Sequence, residues 1–207
     1  MAVVDPTRAL TSEVALQIGE IAARLFATHG YDATSVRTIV EEAGVTKPTL
    51  YYYFGSKEGL AQTLLTLPVH CLNDRLSSIL SESQDAIAML VQTFEAHFEF
   101  SRRAPDIARF FFSLMFGPPV SGLQTDVEQF KGKSSCFMAA IANRAAEAGV
   151  IDPGRVESFL TACHGMIVIS MLGFLYKGKD LEPDLAARLV DDLLRGFGTP
   201  ETPDRGS

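Results

Sequence analysis

The stretch ATSVRTIVEEAGVTKPTLYYYFGSKEGL, residues 33–60, decides how the chain is read. It holds two short apolar runs joined by Ala43-Gly44-Val45. In the first, Val36, Ile39 and Val40 recur at helical spacing and point inward together, and Gly44 follows as a residue able to end a helix. The second opens at Thr46, a good N-cap, carries Pro48 near its start where a missing N–H costs little, and ends at Gly55. Each helical residue advances by about 100°. Leu50 and Phe54 therefore share one side, Tyr52 points almost opposite, and Tyr51 and Tyr53 lie on the flanks. A two-turn helix cannot bury four consecutive aromatic side chains unless it is enclosed all round, and Thr46, Lys47 and Thr49 argue against enclosure. At least two of the tyrosines are expected to present hydroxyls outward.

Ile39, Val45, Leu50 and Phe54 predict that the two helices lock together as a helix-turn-helix, whose second helix is shaped to enter a DNA major groove. The charge pattern agrees locally. No acidic residue falls between Ala43 and Lys57, although residues 1–82 hold six Lys or Arg against nine Asp or Glu. With a net charge of -7 over 207 residues, the chain is no polybasic nucleic-acid or membrane-surface protein, so any phosphate contact has to be concentrated in one place.

Working outward, helical periodicity dominates and no alternating run is long enough for a sheet, so the fold class is all-α. A first helix is expected over residues 12–29, ending at Gly30; a second after Thr34; a third after Thr46. Ser56 starts a longer fourth helix in which Pro68 should introduce a kink or break. The polar run 81–85 is the best linker candidate. Further helices are expected over 86–103, 106–116, 123–148, 156–176 and 185–197, about nine in all, followed by a Pro- and Gly-rich tail expected to be disordered. The domain division follows: 1–60 as the helix-turn-helix domain with the start of the connecting helix, 61–198 as a larger helical domain, and 199–207 as the tail.

Cys71, Cys136 and Cys163 are odd in number, widely spaced and set among apolar residues, which argues against a disulfide scaffold and for a reducing compartment. The opening MAVVDPTRALTSEV lacks a basic-then-apolar export pattern, so a cytoplasmic location is expected. Residues 159–176, the most apolar segment, are nearly long enough for a membrane span, but His164, two glycines and several small residues suit a helix buried in protein. An enzyme or metal protein using His70-Cys71 and Cys163-His164 is the rival reading. Adjacent helical residues diverge by about 100°, and no CxxC, HExxH, carboxylate pair or serine motif accompanies them, so no catalytic residue, metal or cofactor is expected.

Residues 12–62, with LFATHGYDAT, the AGV turn, LYYYF and SKEGL, closely resemble the DNA-binding segment of the tetracycline-repressor-like (TetR/AcrR) transcriptional regulators. That resemblance implies a homodimer that inserts one third helix per subunit into successive major grooves of a palindromic operator. Carried over by position, Thr34 and Ser35 would meet phosphate, Thr46, Lys47, Pro48, Thr49 and Tyr52 would face the groove, and Tyr51, Tyr53 and Lys57 would clamp phosphates. Two positions depart from the common pattern. Pro48 stands where many relatives have Gly or a small residue, and Tyr53 where many have His.

The resemblance also implies a small-molecule effector in the larger domain, apolar or aromatic in keeping with its Phe and Met content. Phe94, His97 and Phe98 share a face of the fifth helix; with Phe111, Met115, Phe137 and His164 they are the candidate lining, and core packing is the plain alternative for each. The eighth and ninth helices, through Met166, Ser170, Gly173, Leu185, Leu189 and Leu193, are the candidate dimer contact, a four-helix bundle with two helices from each subunit. The expected function is a ligand-responsive repressor; a constitutive regulator or an activator on the same fold fits the sequence as well.

Overall fold

The computed structural model describes residues 12–83, 85–120 and 122–195. Among these residues the chain forms nine α-helices and one 3-10 turn, with no strand. In chain order they are α1 (Glu13–His29), α2 (Val36–Glu42), α3 (Lys47–Phe54), α4 (Lys57–Glu82), α5 (Ala86–Arg103), α6 (Pro105–Phe116), α7 (Gln124–Glu147), the 3-10 turn Pro153–Arg155, α8 (Val156–Lys177) and α9 (Leu185–Arg195). The all-helical expectation and the number of helices agree with this order. The tail 199–207 and Phe197 lie outside the described residues.

Two details of the helix ends differ from expectation. Ser35, not Thr34, is the N-cap of α2, its Oγ accepting from the Thr38 N–H at 3.1 Å. Pro68 neither ends nor divides α4, which runs unbroken from Lys57 to Glu82. A proline inside a helix removes one backbone donor and costs about 3 kcal/mol in isolation. Here buried neighbours on both sides, Leu64, Leu65, Leu72 and Leu76, hold the helix through it.

Contacts divide the chain into two compact units, one of Met1–Leu72 with Arg103–Lys133 and the other of Asn73–Arg102 with Ser134–Ser207. This differs from a single cut near residue 60, because α6 returns to pack along α1. The core of the first unit is built from Ile18, Ala22 and Phe26 of α1, Ile39 of α2, Leu50 and Phe54 of α3, Leu60 and Leu64 of α4, and Phe110 and Phe111 of α6. Phe26 and Phe110 rings meet at 4.9 Å, with Tyr31 stacked beyond at 6.5 Å from Phe110. The second unit buries Phe94 and Phe98 of α5, Met138 and Ile141 of α7, Cys163, Ile167, Met171 and Leu175 of α8, and Val190 and Leu193 of α9. Cys163, Ile167, Met171 and Leu175 step by four residues and so form one stripe.

Candidate nucleic-acid interface

The second apolar run folds as its pattern requires. Thr46 caps α3 by accepting from the Thr49 N–H at 3.4 Å, and the two hydroxyls are 2.8 Å apart. Leu50 and Phe54 are sunk in the core, and each fully buried apolar side chain contributes about 1.5–3 kcal/mol. The turn before α3 closes through Val45 N–H to Val40 O at 3.0 Å, and Gly44 adopts φ 63°, a conformation that disfavours a Cβ. Gln17 of α1 donates to Ala43 O at 3.3 Å and ties this turn to the first helix.

With one side anchored, α3 displays the other. Thr46, Lys47, Pro48, Tyr51 and Tyr52 are exposed, Tyr52 most of all at 66%. Thr49 is half-buried. Tyr53 is half-buried too: its ring meets that of Tyr52 edge-on at 5.0 Å, and its hydroxyl accepts from Ser12 Oγ at 2.9 Å. Its oxygen is therefore already engaged with the start of α1. Ser35 is exposed at the head of α2, beside Thr38, whose hydroxyl lies 2.8 Å from Ser35 Oγ. Thr38 and Arg37 are exposed there as well, and the spacing of Ser35 and Thr38 is the same as that of Thr46 and Thr49.

Two residues expected at phosphates, Thr34 and Lys57, make hydrogen bonds within the fold. Thr34 is buried, its hydroxyl donating to Gly30 O at 2.8 Å, because the turn after α1 needs that donor to close. Lys57 Nζ donates to Tyr31 O at 2.8 Å and to Thr34 O at 3.0 Å, and sits 4.0 Å from the centre of the Tyr31 ring. Burial pushes the Lys57 pKa down, with Asp32 pulling the other way. The start of α4 is thereby bonded to the turn between α1 and α2.

The other sequence candidates separate between the two units. Phe111 and Met115 belong to the core of the first unit, because α6 packs on α1. Phe94, His97 and Phe98 are buried in the second, where Phe137 and His164 are half-buried. His97 and His164 are close enough to act on each other electrostatically; burial is the main cause that lowers both pKa values, so both favour the neutral ring. Because a carbonyl only accepts, the 2.7 Å contact of His97 Nδ1 with Thr93 O places a proton on Nδ1. The buried Ser101 Oγ and Asn73 Oδ1 of the same unit have no hydrogen-bond partner among the described residues.

Of the expected dimer residues, Gly173 and Leu193 are buried within their own unit; a Cβ on Gly173 would meet Lys179 Cδ at 3.1 Å. Met166, Ser170, Leu185 and Leu189 are half-buried. Burial pushes the Cys163 thiol up to about 12, which keeps it protonated and unreactive near neutrality. Among the described residues no group of three or more His, Cys, Asp or Glu could hold a metal ion.

Residues 18–64 match the family model of bacterial regulatory proteins, tetR family. The HTH-type transcriptional repressor KstR2 of Mycolicibacterium smegmatis is 35% identical over 80 residues, covering 39% of this chain and 39% of that protein. The HTH-type transcriptional repressor ComR of Escherichia coli is 50% identical over 44 residues, covering 21% of each chain. The matches thus span about two fifths or less of these relatives' length. In three dimensions the fold is shared far more widely. The tetR-family regulator PfmR from Thermus thermophilus superposes with a TM-score of 0.70 at 24% identity, covering 88% of this chain and 99% of that one. The ketosteroid transcriptional regulator KstR2 of Mycobacterium tuberculosis gives 0.70 at 21% identity, covering 89% and 92%.

Proposed function

We propose that this chain, which through residues 18–64 belongs to the tetR family and is a DNA-binding transcriptional regulator rather than an enzyme, is a cytoplasmic, ligand-responsive repressor that binds a palindromic operator as a homodimer. One observation carries the reading. α3 is fixed by Leu50 and Phe54 and offers Thr46, Lys47, Pro48 and Tyr52 on its exposed side, with no acidic residue between Ala43 and Lys57. In this reading Lys47 and Tyr51 hold phosphates, the ring of Pro48 meets a thymine methyl, and Tyr52 reads a base edge or sugar. Ser35 meets phosphate at the head of α2, and the half-buried Thr49 and Tyr53 support the surface from its flank.

The exposed face of α8 supports the dimer. Only 28% of its most apolar stretch is buried within the chain, and Ile169 and Tyr176 are 68% and 55% exposed. A second copy, laying α8 and α9 against their equivalents, covers this surface through Met166, Ile169, Ser170, Leu185 and Leu189. The effector is a small apolar or aromatic molecule held in the second unit near Phe94, His97, Phe98, Phe137 and His164. α4 has residues in both units, so a shift along it changes the roughly 34 Å spacing that two reading heads must keep.

Fluorescence anisotropy with DNA from upstream of the chain's own gene tests this. Lys47→Ala and Tyr52→Ala are each expected to weaken operator binding by about 1–3 kcal/mol, the range for loss of one good contact, while leaving the fold intact. Unchanged binding by both variants defeats the assignment of α3.

A further inference from the structure

The first unit contains an open-sided groove of about 400 Å³ between α1, α4 and the start of α6, a size at the lower end of small-molecule sites. Leu16, Gly19 and Ala23 of α1 form one wall, Leu64 and Pro68 of α4 the opposite one, and Ile107 of α6 closes an end. Phe54, which anchors α3 in the core, is part of the floor. A Cβ on Gly19 would reach Leu64 Cδ2 at 3.4 Å, so the absent side chain keeps this wall low. Leu16 on the rim is 48% exposed, an apolar side chain left in water beside an apolar hollow.

The polar groups around the groove are unequal. Thr63 Oγ1 donates to Gly59 O at 2.7 Å, Asp106 Oδ1 accepts from Arg109 Nη1 at 2.7 Å, and Arg103 already has a partner. Glu20, exposed on the rim, has no ion pair or hydrogen bond among the described residues. Leu64 O faces Pro68 four residues on, which has no N–H to give it. Beside the Arg103 guanidinium, the groove offers acceptors: the Glu20 carboxylate and a backbone carbonyl. The first turn of α6, which would attract an anion, carries the Asp106 carboxylate of its own.

We infer that this groove is a second small-molecule site, distinct from the effector region of the second unit, which takes an apolar body bearing a protonated amine. The ring or chain lies between Leu16, Ala23, Leu64 and Ile107, and the ammonium meets Glu20. A ligand there touches Phe54, and so the recognition helix, directly.

Calorimetric titration of the full chain with naphthylmethylamine, naphthylmethanol and naphthoate tests the site, with amide shifts in NMR locating the bound molecule. The amine is expected to bind at least about tenfold tighter than the alcohol or the carboxylate, the share of one charge-assisted contact, and to move the Gly19 amide. Glu20→Gln should erase the preference for the amine, and Leu16→Trp, at an exposed rim position, should weaken it by filling the mouth. Equal binding of amine and alcohol, preference for the carboxylate, absence of binding, or shifts centred on His97 and His164 would each overturn the inference. The operator titration of Lys47→Ala and Tyr52→Ala reports on α3 alone, so the two results stand or fall separately.

Discussion

Replacing Lys57 with Met separates two roles that one lysine could hold at the edge of a DNA-binding surface. Its ammonium makes two hydrogen bonds to backbone carbonyls, at 2.8 and 3.0 Å, and a ring contact at 4.0 Å. Charge-assisted hydrogen bonds contribute roughly 1.5–3 kcal/mol each when shielded, and an exposed cation–ring contact about 0.5–1 kcal/mol. The group is only half-buried and both carbonyls can turn to water once it is gone, which reduces the sum to about 2 kcal/mol. Met keeps the length and the apolar stem. Urea unfolding of Lys57→Met should show that loss, and its thermal midpoint should fall by roughly 4–8 °C for a chain of this size. Operator affinity measured across salt concentrations supplies the other half. A lysine on phosphate contributes about 0.9 to the slope of log K against log salt. Lys57→Met should leave that slope unchanged, whereas Lys47→Ala, on an exposed side chain, should lower it by about 0.9 per subunit while stability stays within about 0.5 kcal/mol. A normal stability with a reduced slope for Lys57→Met would refute the structural role and restore the lysine to the phosphates.

Thr34→Val removes the hydroxyl that donates to Gly30 O and should destabilise the chain by about 1 kcal/mol, read by urea unfolding, with operator affinity of the folded protein unaltered. His97 and His164 have pKa values lowered by burial, so the unfolded chain takes up protons first as pH falls below the ordinary value of 6.5. Stability should therefore be full above that value and decline on the acid side, and His97→Leu should flatten the decline in urea midpoints measured between about pH 7.5 and pH 5.5. Ile169→Glu, at a 68% exposed position on α8, should shift the sedimentation of the chain from dimer towards monomer without lowering the helical signal.

Most of the helical order was legible because it rests on local chemistry. Thr46, Pro48 and Gly55 delimit α3 from residues within the helix or next to it, and the spacing of Leu50 and Phe54 specifies its inward face. What escaped was settled across the chain. Nothing local distinguishes Thr34 from Ser35 as a cap; the Thr34 hydroxyl is drawn away by Gly30 O in the preceding turn. Lys57 is held by carbonyls 26 and 23 residues earlier. Phe111 and Met115 resemble Phe94 and Phe98 in sequence, yet they join the core of the other unit, since periodicity shows that a face is apolar without showing what covers it. At Pro68 the local rule allows a kink or a break; the helix does not break, and buried leucines on either side of it outweigh the missing donor.

The proposed site also offers a way for an acidic chain to approach a polyanion. Glu41 and Glu42 end α2, five and four residues before Thr46, at the helix end where their charge adds to the negative pole of the peptide dipoles. Arg37 pairs with Glu41 and Arg24 of α1 pairs with Glu42. Exposed pairs of this kind contribute at most about 1 kcal/mol to stability. Their larger effect is on the field near α3, which packs against α2, where charges act over a screening length of about 10 Å at 0.1 M salt. Arg24→Gln leaves Glu42 uncompensated without touching α3. Operator affinity is expected to fall about threefold at low salt, with the difference closing as salt rises, and stability should change by no more than about 0.5 kcal/mol. If Arg24 instead touched phosphate, its loss would lower the salt slope by about 0.9. Operator affinity unchanged at low salt would show that the pairs do not shape the surface, and the absence of acidic residues between Ala43 and Lys57 would then have to account for it alone.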